Sequence, residues 1–239
     1  NSKEMFVAGD DDQAIFRYAG ADVDYFIGLS GSVTVLNQSY RIPSDHHALS
    51  EKVIQRVVNR RAKQFNPRQD KGGVFWHRHS EEVDMSQSDW LLLSRTTRGA
   101  RQIEEEVRRR GHLYTYNGSK SIDGKVLEAV RLWENLRNGQ SINAEQVRTI
   151  YSQMIIGTQV EYGHKTFSKG QIDQRYSLQD LQDFYGLLHN LPWDEGLGKI
   201  SDSDKRYIKA CLRKGESLTN EPRIRISTIH SAKGARATN

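Results

Sequence analysis

Trp90-Leu-Leu-Leu93 is wholly apolar and only four residues long. The run is too short for a helix, and an unbroken apolar run of this length marks a strand covered on both faces in a parallel sheet. The next twenty residues narrow the fold further. After Ser94-Arg-Thr-Thr97 the pattern predicts a helix over 98–110, with Ile103 and Val107 turned inward and a heavily charged outer face. Gly111 stops it. His112-Leu-Tyr-Thr-Tyr116 then reads as a second strand, closed by an Asn-Gly turn. Strand, helix, strand in succession is the α/β signature. Sheets of this kind present their ligands to the loops at the carboxyl ends of the strands.

The rest of the chain fits around that unit. Alternation and β-branching predict strands at 4–9, 32–36 and 72–76. Pro43-Ser44 opens a helix whose apolar face carries Leu49, Val53, Ile54, Val57 and Val58. Beyond Gly118 the pattern turns helical. One amphipathic helix is predicted over 122–138, and three more lie near 142–155, 177–190 and 203–214. Strand character returns at Arg223, in Ile224-Arg-Ile-Ser-Thr228. A helical block of roughly a hundred residues is therefore inserted into an α/β domain, leaving from a surface loop of the host sheet. No internal repeat and no low-complexity tract interrupts the chain.

The net charge of +5 and pI near 9.2 suit a nucleic-acid partner. A single cysteine, Cys211, excludes an internal disulfide and a cysteine-cluster metal site; its position predicts a small buried residue on a helix. No apolar run reaches the length of a membrane span and no signal peptide is evident, so no membrane partner is expected and a cytoplasmic location is.

Four stretches could carry chemistry. Gly9-Asp-Asp-Asp-Gln13 offers carboxylates and an amide that can hold a divalent ion or orient water near a phosphate, or can form an acidic capped turn. Phe16, Arg17 and Tyr18 come next, suited to base stacking or to starting a packed helix. In Ser39-Tyr-Arg41 the guanidinium can clamp a phosphate and the ring can stack on a base. Thr228-Ile-His-Ser-Ala-Lys-Gly234 gathers a hydroxyl, an imidazole, an ammonium and a glycine in one loop. His230 has no carboxylate partner nearby in sequence, so a hydrolytic triad is not indicated.

In their order and spacing these stretches resemble the later motifs of the UvrD/PcrA/Rep-type superfamily 1 DNA helicases. Val7–Ala21 looks like motif III, Leu36-Asn-Gln-Ser-Tyr-Arg41 like motif IV, Leu91–Thr97 with its Glu-rich helix like the next block, and Ile226–Gly234 like motif V. The resemblance covers both ends and the residues to about 135; residues 140–220 match no motif. It implies a RecA-like parallel-sheet motor domain, the second of two P-loop NTPase-like domains, with an inserted, mostly α-helical subdomain. Residues 1–30 would be the tail of the first motor domain, 31–120 the first part of the second, 121–220 the helical accessory subdomain, and 221–239 the return to the second. Gln13 would sense the nucleotide γ-phosphate and Arg41 would reach it as an arginine finger, the two catalytic roles. Tyr40 would stack on adenine, and Gly234 would sit at the turn beside the nucleotide. Phe16, Tyr18, Thr228, His230 and Lys233 would line the DNA track. Family members hydrolyse ATP with Mg2+ and move along one DNA strand, typically 3′ to 5′. Partners would be single-stranded and duplex DNA, with a protein partner possible on the helical insertion.

Departures qualify the resemblance. Ala19 stands where the family has arginine, and Arg236 stands where motif V has an acid. No G-x-x-x-x-G-K-[ST] loop and no apolar strand ending in Asp-Glu occur in the sequence. The resemblance therefore implies a piece of a longer helicase that would not hydrolyse ATP alone. The alternatives are a catalytically inactive helicase-like binding module, or the helicase part of a nuclease-helicase.

Overall fold

The computed structural model describes residues 5–15, 19–164 and 174–233. By its internal contacts the chain divides into two compact units, residues 1–84 and 85–239. That division falls inside residues 31–120, which the resemblance implies to be the first part of the second motor domain.

The first unit is built from turns and two helices. Asp10 caps a 3-10 turn over Asp11–Gln13, its side chain accepting from the Asp12 amide. Helix α1, Val23–Gly28, is capped by Asp22. Helix α2, Ser44–Ile54, begins after Pro43, and its first amides are taken up by the Asp70 and Lys71 carbonyls of a neighbouring loop. Helix starts need such external acceptors because their first amides have none within the helix. The strands expected at 4–9, 32–36 and 72–76 do not form among the described residues. Among the described residues of this unit one bridge forms, between Gln38 and Asn66, outside all three segments. Strand propensity records how well a side chain suits a half-covered pleated surface. Here Val33, Leu36, Phe75 and Trp76 are exposed, so nothing covers the surface they would form. α2 also ends before Val57 and Val58, both of which are exposed.

The second unit carries the sheet. Strand β1 is Trp90–Ser94, α3 is Thr97–Arg109, β2 is Tyr114–Tyr116 and β3 is Ser119–Lys120. The helical block comes next: α4 Gly124–Arg137, β4 Ile142–Asn143, α5 Ala144–Ser152, β5 Arg175–Tyr176, α6 Leu178–Phe184, α7 Trp193–Gly196 and α8 Asp202–Arg213. Strand β6, Ile224–Thr228, follows α8. The sheet order is β1-β6-β2-β3, so the last strand lies between the first two. β6 runs parallel to both, pairing Trp90 with Ile224 and Ser94 with Thr228 on one side, and Tyr114 with Ile224 on the other. A mixed α/β unit around a parallel sheet is compatible with the RecA-like fold expected.

α3 packs across β1, β6 and β2, burying Ala100 and Val107 against Ile224 and Ile226. β1 is less enclosed than its apolar run implied: none of its five residues is fully buried, and Leu93 is exposed. It is an edge strand lying under one helix, which leaves part of its surface open.

In the helical block, α4 and α5 bury Leu132, Trp133, Leu136, Ile150 and Tyr151. Asn143 with Gln146, and Ser177 with Asp180, form capping boxes that fix where α5 and α6 start. Gln159 is nearly buried and ties its own turn to the end of α7. Its Oε1 accepts from the Ile155 and Gly198 amides, and its Nε2 donates to the Glu195 carbonyl. α8 returns to the sheet: the Tyr207 hydroxyl donates to the His112 carbonyl at 2.6 Å, and Arg108 pairs with Asp204 at 2.8 Å. Among the described residues no helix is long and apolar enough to cross a membrane.

Cys211 is buried on α8, as its surroundings in sequence predict. Burial pushes its thiol up to about 12, against a smaller downward pull from Tyr207. A thiol reacts as its thiolate. The folded protein is therefore expected to resist a thiol-specific disulfide reagent at pH 8 and to release one equivalent only on denaturation. Rapid labelling of the native chain would contradict this packing.

Candidate nucleic-acid interface

Parallel pairing brings two loops to one end of the sheet. Because Ser94 stands opposite Thr228, the loop after β1 and the turn after β6 leave side by side. The Ile229 amide donates to the Ser94 carbonyl at 3.0 Å, carrying the pairing one step past the strand. Arg95 Nη1 then lies 3.5 Å from His230 Nδ1.

The turn after β6 holds its own shape. The Ser231 amide donates to Thr228 Oγ1, the Ala232 amide to the Thr228 carbonyl, and the Lys233 amide to the His230 carbonyl. The Thr228 hydroxyl also bonds the Ser231 hydroxyl at 3.1 Å, so it is spent on positioning the turn. Lys233 is exposed and His230 partly so. On the β1 side, Thr96 caps α3 by accepting from the Gly99 amide at 3.1 Å. A Cβ on Gly99 would collide with the Ser94 hydroxyl, so glycine lets the start of α3 lie against the end of β1. The result is a ledge carrying Arg95, His230 and Lys233 beside a helix N-terminus, where positive charge and free amides favour phosphate oxygens.

Thr228, His230 and Lys233 are thus brought together. Phe16, Tyr18 and Gly234 lie outside the described residues. Gln13, Tyr40 and Arg41 lie in the first unit. Gln13 Nε2 donates to the Asp10 carboxylate. Tyr40 and Arg41 are both exposed, and the Ser39 hydroxyl accepts from the Arg41 and Ile42 amides, shaping the loop that presents them. An open ring beside an open guanidinium fits a base and a phosphate.

The acidic triplet is otherwise engaged. Lys63 Nζ reaches Asp10 at 3.0 Å and Asp12 at 3.2 Å, and bonds Asp11 as well. Arg60 holds Asp12 through two bonds of 2.9 and 2.7 Å, and the Arg61 amide donates to Asp11 at 2.8 Å. Burial works against charge on both Asp11 and Lys63. Burial is the largest single influence on each, and it is outweighed only by several bonds together, from Lys63 and the Arg61 amide on Asp11 and from Asp11, Asp10 and Asp12 on Lys63, so the Asp11 carboxyl sits below its ordinary range and the Lys63 ammonium above its own. These carboxylates are saturated by cations of the same unit, so they do not fit Mg2+.

Two features escaped the sequence reading. Arg95 becomes part of the ledge only once β6 pairs with β1, and no local pattern announces that pairing. Arg60-Arg-Ala-Lys63 was visible as a basic run; the signal that could have found its role is its charge match to Asp10-Asp-Asp12.

No family model matches the chain, and no solved structure matches it. Among curated proteins it is similar to the ATP-dependent DNA helicase PcrA of Bacillus subtilis (strain 168), at 27% identity over 152 residues. The match covers 54% of this chain and 21% of that protein, so the chain spans about a fifth of its relative's length. The similarity supports a helicase relationship.

Proposed function

We propose that this chain is part of an ATP-dependent DNA helicase or translocase, and that its second unit grips single-stranded DNA at the carboxyl ends of β1 and β6. The observation that carries this reading is the parallel register that sets Arg95 beside His230, with Lys233 on the same turn. Three cationic or ionisable groups on one ledge suit successive phosphates. Thr228 acts by shaping the turn.

In the first unit, Tyr40 stacks on the adenine of ATP, Arg41 reaches its γ-phosphate, and Gln13 couples nucleotide state to the DNA. Phe16 and Tyr18 stack on bases, and Gly234 contacts the nucleotide. ATP with Mg2+ supplies the free energy for movement, with 3′ to 5′ as the direction. The domain assignment rests on the same reading: a motor-domain tail over 1–30, the second motor domain over 31–120 and 221–239, and a helical accessory subdomain over 121–220.

The test is single-stranded DNA binding as a function of salt, for the wild type, Arg95→Ala and Lys233→Ala. Each phosphate contact contributes about 0.7 to the slope of log K against log salt. Each variant should bind more weakly and lose about that much slope. Wild-type slopes in both variants would remove the ledge from the DNA track.

A further inference from the structure

We infer that the open cavity between α3 and the β2–β3 turn is a pocket for one unstacked nucleobase of the strand held on the ledge. The pocket's role depends on the DNA-binding function proposed for that ledge. The cavity measures about 410 Å³ and is lined by Arg101, Glu104 and Arg108 from one face of α3, and by Tyr116, Asn117 and Ser119 from the strand end and turn.

Its chemistry selects a planar, neutral, polar group over a phosphate. The cations of the lining, which include Lys120, are already balanced by carboxylates: Arg101 pairs with Glu104 at 2.6 Å, Arg108 with Asp204 at 2.8 Å and Lys120 with Glu221 at 2.6 Å. An incoming phosphate would have to compete with those carboxylates. A base brings no charge, and it can lie on the flat guanidinium of Arg101. That guanidinium sits 4.4 Å from the centre of the Tyr116 ring on one side, and much of the side chain remains exposed. Stacking on such guanidinium and aromatic planes accepts any base. The Tyr116 hydroxyl is enclosed and, among the described residues, has no hydrogen-bond partner. A polar atom left so is costly, and a base edge admitted by a swing of Arg101 would satisfy it. The side-chain amide nitrogen of Asn117 and the Ser119 hydroxyl add edge contacts.

Position connects the pocket to the ledge. Asn117 is its rim residue, and it is bonded to β6 twice: its amide donates to the Ile226 carbonyl at 3.1 Å, and its Oδ1 accepts from Ser227 at 2.9 Å. Ser227 adjoins Thr228, where the ledge begins. The pocket lining and the ledge therefore adjoin the same end of β6, so that one bound strand can serve both.

The experiment uses the whole chain and a single-stranded oligonucleotide in which one abasic site is walked along the strand, at several salt concentrations. In the wild type, one abasic position should weaken binding about tenfold, the size of a lost base stack. In Arg101→Ala that penalty should vanish with the salt slope unchanged. Tyr116→Phe, which preserves the ring, should weaken the intact strand severalfold and leave the abasic strand unaffected. Equal weakening of intact and abasic strands by Arg101→Ala, with a shallower salt slope, would make Arg101 a phosphate contact and overturn the proposal. A flat abasic walk with Lys233→Ala still harmful would overturn the pocket and leave the ledge standing. A flat walk together with Arg101-dependent binding of free thymidine monophosphate would give the pocket to a soluble nucleotide instead of the strand. No binding of any oligonucleotide at low salt would overturn the ledge and the pocket with it.

Discussion

Replacing Lys63 by methionine should cost the first unit about 3–5 kcal/mol, the usual loss when one partner of a buried ionic cluster is removed. The ammonium is almost enclosed, and it answers three carboxylates at once. Methionine fills similar space, so the loss reports charge more than packing. Arg60 would still neutralise Asp12, which places the effect toward the lower end of that range. The readout is hydrogen exchange at the Arg61 amide, which Asp11 holds in the wild type. A loss below about 0.5 kcal/mol, typical of an exposed pair, would show that the cluster is solvated. Acid provides the second check. The Asp11 carboxyl is held below its ordinary range, so its contribution is present above about pH 4 and is lost as pH falls through its folded value. The Lys63 ammonium is raised, so its contribution is complete below about pH 10 and is lost as pH climbs through its folded value. In Lys63→Met the carboxyl of Asp11 remains buried without its cation, so acid should relieve it. The stability gap to the wild type should narrow between pH 7 and pH 4.

Trp133→Ala should cost the second unit a similar amount, about 3–5 kcal/mol, as for other buried aromatic truncations. The side chain is fully buried on α4. Its indole N–H donates to the Leu191 carbonyl at 2.9 Å, and its ring meets His189 edge-on with centroids 5.4 Å apart. One residue therefore pins α4 to the loop that leads into α7. Its sequence neighbour repeats the tie, since Glu134 accepts from the Trp193 amide at 2.9 Å. Trp133→Phe separates the two contributions. It keeps most of the ring volume and leaves the Leu191 carbonyl without its donor, which should cost about 1–3 kcal/mol. Urea unfolding followed by circular dichroism measures both variants. Equal losses would mean that the hydrogen bond, and not the packed volume, governs this joint.

Legibility in the sequence tracked how local the deciding interactions are. β1, α3, β2, α4 and β6 lie within a few residues of where periodicity put them, because Ile103, Val107, Trp133 and Ile226 each recur at the spacing of their own element. The first unit resisted the same logic. Val33, Val35 and Phe75 have the residue types of strands, but a strand exists only when another strand pairs with it, and that partner is not written in the run itself. The ledge shows the same limit in finer detail. The turn from Thr228 to Lys233 could be read as a loop that meets ligands, whereas its neighbour Arg95 is set by a register between distant strands. The acidic triplet allowed two readings in sequence, an ion site or a capped turn. The structure shows the capped turn, with Lys63 and Arg60 holding its carboxylates.

The placement of β6 between β1 and β2 also governs the order in which this unit can be assembled. During synthesis β1, α3 and β2 emerge early, and the strand that belongs between them emerges only after the helical block. Until then two apolar strand edges face an empty slot, open to pairing with each other or with another chain, the ordinary route to misassembly in slowly closing sheets. Closing a loop from β2 to β6 through an unfolded intervening chain would be entropically unfavourable. The helical block removes most of that cost if it folds first, because its two ends then return to nearly the same place: Lys120 and Glu221, at either side of it, are joined at 2.6 Å. In this sense the block is a built-in splint that delivers β6, and a nascent chain halted before Arg223 would carry the two open edges with nothing to fill them.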